Sequence, residues 1–398
     1  MKIFPEKTNL FIKNRIFILL AASFLLLFYS CSDNPSSIGA NLLKSDNLKI
    51  NELDSYKDTL AQKSWYLKRT LRLGASYTLL LGKNDNVEAS TLINFLIALP
   101  DSLKNSIAAD SITVTGANIK FIRDYPTKED NSYYDFTAHK VQSGWTSNFT
   151  SDSLTMLSYD PMDISSNKTL TDSLEQFDVS NDFAFSLLKY ATDSIGTNFG
   201  IYLKPTENSK KVVGYYSLYN GINIPVLTIA IEKLNLYPDT LFFYASSNVS
   251  VVTGNIPTTN LQSRIIVQGG LVINSKLWFD VSKIPFNAII NDAKVTLNMD
   301  SSESYLGDTT NSLLASFLTD SSSIVLDSTN VAAFSKVNNS MTGTITSYVQ
   351  RWVNSGVNEG ILLYPRNQIG SVDLFTFLGN DAVDSLKPRL HVIYTLKQ

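Results

Sequence analysis

From about residue 50 onward, apolar and polar positions alternate over short runs, the period-two signature of half-buried strands. "ANIKFI" sets Ile119 and Phe121 on one face, "AKVTLNM" sets Val295 and Leu297, and "RLHVIY" sets Leu390, Val392 and Tyr394. Two stretches break the alternation with helical spacing. "NDFAFSLLKYATDS" places Phe183, Leu187, Leu188 and Ala191 on one stripe, and "ITSYVQRWVNS" does the same with Ile345, Val349, Trp352 and Val353.

These elements occur twice. "GTNFGIYLKP" (Gly196–Pro205) and "GVNEGILLYP" (Gly356–Pro365) agree at six of ten positions, 160 residues apart. "YKDTL" at Tyr56 answers "YPDTL" at Tyr237, the strand around Ala117 answers that around Ala293, and "IPVLTIAI" at Pro225 answers "KPRLHVIY" at Pro388. The landmarks keep their order while the offset drifts, as in a duplicated domain with loop insertions. The pattern predicts an all-β protein of two tandem β-sandwich (jelly-roll-like) domains, each with one short helix. Copy one spans residues 51–233 and copy two 234–398, joined near Glu232–Pro238. The repeated phrase reads as helix stop, turn, strand, stop. Gly196 and Gly356 suit a left-handed helix end, Asn198 and Asn358 suit a turn, and Pro205 and Pro365 end a strand. It is not a phosphate loop, because it precedes a strand rather than opening a helix.

The N-terminus carries a different signal. Lys2, Lys7, Lys13 and Arg15 precede an apolar run from Ile16 to Tyr29, and Cys31, the single cysteine, follows at once. As a helix the run spans about 21 Å, short of the roughly 30 Å core of a bilayer. Residues 1–30 therefore read as a signal peptide and residues 31–50, small and polar, as a flexible tether. The segment resembles a bacterial lipoprotein signal of the loose kind found in Bacteroidota. That resemblance implies lipid attachment at Cys31, with Ser32 after it pointing to the outer membrane, periplasmic or surface-facing. A plain secretory signal with an incidental cysteine is the other reading. With Cys31 acylated, no thiol is left for a disulfide, a thiolate metal site or a nucleophile. The first 30 residues hold four basic and one acidic side chain, so the net charge of −3 becomes −6 without them. No long basic run exists, which argues against a nucleic-acid partner.

Both copies resemble the DNRLRE-type domain, a β-sandwich grouped with carbohydrate-binding module family 96. Copy two carries Asp239-Thr240, "WFDVSKIP" (Trp278–Pro285), Ala293–Leu297, "SYVQRWVNSGVNEGILL" and "KPRLHVIY". Copy one carries Asp58-Thr59, "INFLIALP" (Ile93–Pro100), Ala117–Phe121, "KVQSGW" (Lys140–Trp145) and "NFGIYL". "SSIGANLL" followed by "ASYTLLLGKNDN" also resembles uncharacterised Bacteroidota lipoproteins. The first resemblance implies a carbohydrate ligand; both imply a secreted, lipid-anchored β protein.

Side-chain chemistry is sparse. The two histidines, His139 and His391, could serve as a base or a metal ligand, but sit in strand patterns without hydrolase or zinc spacing and read as surface residues. Sugar-binding modules stack pyranose faces on exposed aromatic rings. Of the four tryptophans, Trp65, Trp145, Trp278 and Trp352, the last lies on a helix's apolar stripe and reads as core. Trp145, in the polar turn "QSGWTSN", and Trp278, beside Phe279 in a strand, are the ligand-binding candidates; for Trp278 core and rim stay open. Asp300, Glu303 and Asp308 could attract calcium but match no calcium-loop spacing and read as a solvated loop. "YPTKEDNSYYD" (Tyr125–Asp135) is either a polar binding edge or an ordinary loop. The expectation is a cell-surface lipoprotein, not an enzyme, without a cofactor, that binds carbohydrate. The alternative is a structural or protein-interaction envelope lipoprotein with no sugar ligand.

Overall fold

The computed structural model describes residues 49–124, 132–194, 196–233, 238–255, 263–307, 312–322 and 324–396. Cys31, the signal segment and most of the tether lie outside them, as do residues 125–131 of the polar edge, residues 234–237 of the expected joint, and Asp308.

The fold is all-β and is built from two large curled antiparallel sheets. After β1 (Ile50–Asp54) and β2 (Gln62–Lys68), the first repeat runs β3 (Thr78–Lys83), β4 (Val87–Phe95), α1 (Asp101–Ala108), β5 (Ile112–Ile122), β6 (Phe136–Lys140), β7 (Ser165–Leu170), β8 (Leu174–Val179), α2 (Asn181–Asp193), β9 (Ile201–Pro205), β10 (Val212–Tyr216) and β11 (Val226–Lys233). The long β12 (Asp239–Gly254) opens the second repeat. It is followed by β13 (Arg264–Gln268), β14 (Ile273–Phe279), β15 (Ala288–Asn298), β16 (Leu313–Asp320), β17 (Val325–Val337), β18 (Ser340–Thr344), α3 (Thr346–Ser355), β19 (Ile361–Pro365), β20 (Leu374–Leu378) and β21 (Arg389–Leu396).

Pairing repeats with the sequence. β10 lies on β3 as β20 lies on β13, β9 on β4 as β19 on β14, and β11 on β5 as β21 on β15. Helix for helix, Phe183, Ala184, Leu187 and Leu188 are buried on α2, where Tyr348, Val349, Trp352 and Val353 are buried on α3. One pairing is unequal: β16 pairs with both β17 and β19, which continues the second sheet around, whereas among the described residues β7 pairs only with β8.

The first strands are exchanged between the repeats. β12 pairs with β11 and then with β4, so it completes the sheet of copy one. β1 and β2 pair with β21 and β14, so they complete the sheet of copy two. The sheets therefore divide the chain as β3–β12 against β1–β2 plus β13–β21, which is not the division at residues 233 and 234. Residues 51–395 form one compact unit. Between the sheets lies a cluster with contributions from equivalent positions: Leu80, Ala89 and Val212 from one repeat, Ile266, Ile273 and Leu374 from the other. Thr91 Oγ1 donates to the Leu80 carbonyl at 2.9 Å where Ser275 Oγ donates to the Ile266 carbonyl at 2.7 Å.

Two local expectations need correction. Copy one holds a second helix, α1, which starts after Pro100 with Asp101 in its first turn. Its short span buries only Ser106 and Ile107, too little to show as a helical stripe. The left-handed cap of α2 is Ser194 (φ 60°) rather than Gly196, whereas α3 ends on Gly356 (φ 69°) as expected.

Candidate functional site

A groove of about 570 Å³ opens at one end of copy two, lined by Trp278, Phe286, Trp352, Asp280, Ser282 and Asn358 among others. Its floor follows from the sequence pattern. Leu277 and Phe279 alternate inward on β14, so Trp278 points the other way and is half-buried. Its Nε1 donates to the Asn358 carbonyl at 3.0 Å, which fixes the ring. The next turn, Asp280–Ile284, is held by Asp280 accepting from the Ser282 amide at 2.9 Å. That bond keeps the Asp280 carboxyl below its ordinary range, so an anion sits at the rim. Phe286, just beyond, is 73% exposed, an unusual position for a large apolar ring.

Trp352 closes the inner wall from α3. It is 2% exposed and stacks on Phe317 with ring centroids 6.2 Å apart. The expectation that it belongs to the core fits this burial. It also lines the groove, and its indole N–H has no hydrogen-bond partner. A buried donor without a partner is rare and costly, and this one is sealed from solvent rather than open to the groove.

The groove's aromatic lining belongs to copy two. By the strand register Asn94 stands where copy two has Trp278, and by the buried stripes of the two helices Leu187 stands where it has Trp352. Asn94 Nδ2 donates to the Asn198 carbonyl at 3.1 Å, reproducing the Trp278–Asn358 bond without a ring.

Trp145 is not brought to this groove. It is half-buried, its Nε1 donates to the Phe199 carbonyl at 2.7 Å, and it packs on the cluster that contains Val141 and Tyr202. The polar turn around it hid this anchor. It lines a separate shallow depression with Phe149 and Met156.

Trp65, on β2, is 40% exposed. It faces Lys276 across the β2–β14 ladder, and Lys63 faces Trp278. Lys276 Nζ lies 5.4 Å from the Trp65 ring centre and Lys63 Nζ lies 5.6 Å from that of Trp278, two cross-strand cation–π pairs.

The histidines also differ from expectation. His139 is buried at 7% exposure, with Nδ1 3.0 Å from the Asp160 carbonyl and Nε2 2.8 Å from Thr137 Oγ1. Its strand is covered by residues 159–163, an insertion that alternation alone does not reveal. His391 is half-buried, and its Nε2 lies 3.0 Å from Glu52 on the exchanged strand β1. Asp300 and Glu303 converge on Arg264, at 3.0 and 3.3 Å, rather than on a cation site. Among the described residues no three His, Cys, Asp or Glu side chains are grouped to hold a metal, and no helix is long and apolar enough to cross a membrane.

Of the groove's aromatic rings, Phe286 and Trp352 are the two that the sequence did not mark as ligand-binding. Phe286 follows Pro285 outside any alternation, so its exposure had no signal. Trp352 had the right stripe, but that residues 278–286 form a groove beside its buried ring was not visible.

No family model matches the chain, and no curated protein matches it either.

Proposed function

We propose that the protein is a lipid-anchored, non-catalytic surface protein that binds carbohydrate through copy two. The observation that carries this is the groove where Trp278 and Phe286 offer ring surface beside Asp280 and Ser282. Sugars need both kinds of contact. Their CH-rich faces pack on aromatic rings, and their hydroxyls need fixed acceptors and donors. Trp278 is already held by its bond to Asn358, so stacking on it loses little side-chain freedom.

A lipid anchor at Cys31 fits a chain whose residues 31–50 are small and polar, because such a tether would hold the sandwiches clear of the bilayer. The resemblance to carbohydrate-binding module family 96 supports the same reading. Against catalysis, each histidine is engaged by structural partners, His139 by backbone carbonyls and His391 by Glu52.

One observation favours the alternative, a protein-interaction role. Phe242, Tyr244 and Leu96 form an exposed apolar strip on copy one, with the Leu96 amide donating to the Tyr244 carbonyl at 3.2 Å. A glycan-array screen of the chain from residue 32, with and without calcium, separates the two. A defined set of bound glycans is the expected result. A blank array in both conditions would leave the interaction reading standing.

A further inference from the structure

We infer that copy two is a strand acceptor whose β1–β2 segment can be supplied by a second copy of this chain, giving strand-exchanged dimers. The first observation is the exchange itself. The same slot, between the last strand and the β4 or β14 hairpin arm, is filled in two ways within one molecule. In copy one it takes β12, which follows β11 directly. In copy two it takes β1 and β2, which lie more than 300 residues from β21 in the chain. The slot thus reads backbone pairing and side-chain complement, not chain continuity.

The second observation is that the donor is a separable piece. Copy one, β3 to β12, has its full set of strands without residues 50–68. A single connection, residues 69–77, joins β2 to β3. The contacts that hold the donor are cut out for a specific strand. Arg389 donates to both oxygens of Asp54, at 3.0 and 2.6 Å, and its guanidinium lies 5.0 Å from the Tyr56 ring. Tyr56 Oη donates to the Lys387 carbonyl at 2.9 Å, and Ser55 and Leu390 exchange two further bonds. Along β2, Trp65 and Lys63 pair with Lys276 and Trp278.

Every one of these contacts is the same whether β1–β2 comes from its own chain or from a neighbour. Only the 69–77 connection changes, and exchange of identical elements is a low-cost route to dimers. A membrane tether would raise the effective concentration of neighbours and favour the exchanged form. Charge and sequence restrict the partner: the segment must present Asp54, Tyr56 and the Trp65 face in register, which this chain's own N-terminal segment does.

The test uses otherwise cysteine-free full chains from residue 32. One carries Trp65→Cys and another Lys276→Cys, positions opposite each other in the ladder. The two chains are unfolded, mixed, refolded and oxidised. A single chain with both substitutions must form an internal disulfide, which confirms register and folding. If it does not fold, Ser64→Cys with Leu277→Cys, the adjacent pair, replaces it. The expected result is a cross-linked heterodimer several-fold above that of a control pairing Lys276→Cys with Met156→Cys, an exposed residue at the end of a short 3-10 turn. Heterodimer no greater than the control, beside efficient internal cross-linking, would overturn the proposal.

Discussion

The side-chain amide of Asn358 donates to the Phe279 carbonyl at 2.7 Å, and its counterpart Asn198 donates to the Phe95 carbonyl at 3.1 Å. In both copies the asparagine after a helix ties the helix exit to the end of the β4 or β14 strand. Replacing Asn358 or Asn198 by Ala leaves that carbonyl unpaired, at a cost of about 1–3 kcal/mol. Thermal unfolding of the two single variants should show similar losses. A loss in one copy alone would mean that the equivalence is only one of sequence.

The glycines of the repeated phrase should separate by position. A Cβ at Gly200 would lie 2.0 Å from the Ile93 carbonyl oxygen, and one at Gly360 would lie 2.6 Å from that of Leu277; both have positive φ. At Gly196 and Gly356 φ is also positive, but nothing is near. Alanine at Gly196 or Gly356 should cost about 1 kcal/mol from backbone strain alone. Alanine at Gly200 or Gly360 must also displace strand backbone and should cost clearly more, read as the denaturant midpoint at unchanged slope.

Stability should fall as pH rises across the neutral range. Glu175 is 2% exposed beside Tyr134, whose Oη lies 3.3 Å away, and burial pushes its carboxyl up to about 8. Between its ordinary value of 4.5 and about 8 the folded chain keeps this proton and the unfolded chain has lost it. The stabilisation is therefore full below 4.5, declines through that window by roughly a few kcal/mol, and is gone above 8. Glu175→Gln should flatten the decline between pH 5 and 8. A melting temperature of the parent chain that rises over that range, or an unchanged slope in the variant, would contradict this.

Cys31→Ser should move the protein from the membrane fraction to the soluble one when it is expressed with its own leader. Retention of the variant in detergent-phase partitioning would sink the lipid-anchor reading.

Much of the fold was legible because the duplication wrote each strand twice. Val295 and Leu297 repeat the alternation of Ile119 and Phe121, and those four are buried as their spacing required. What could not be read was partner choice. Alternation places Trp65 and Trp278 on sheet faces, but nothing local says that β2 pairs with β14 rather than with β4. Such pairing is set by the contacts of residues far apart in the chain. The groove was half legible: Trp278 was marked, while Trp145, equally marked, is anchored elsewhere by its bond to Phe199. A turn's polarity does not reveal whether a ring in it folds back on the sheet.

The claim at the centre of this account is that the Trp278 groove holds a sugar, and calorimetric titration with a glycan bound by the parent chain tests it most directly. Trp278→Ala and Phe286→Ala should each weaken binding by at least tenfold, about 1.4 kcal/mol, while Trp145→Ala binds as the parent does. Trp352→Ala is a poor probe, because truncating a buried Trp costs about 3–5 kcal/mol of stability by itself. Binding unchanged in both Trp278→Ala and Phe286→Ala, with the variants folded, would place the ligand elsewhere and contradict the account.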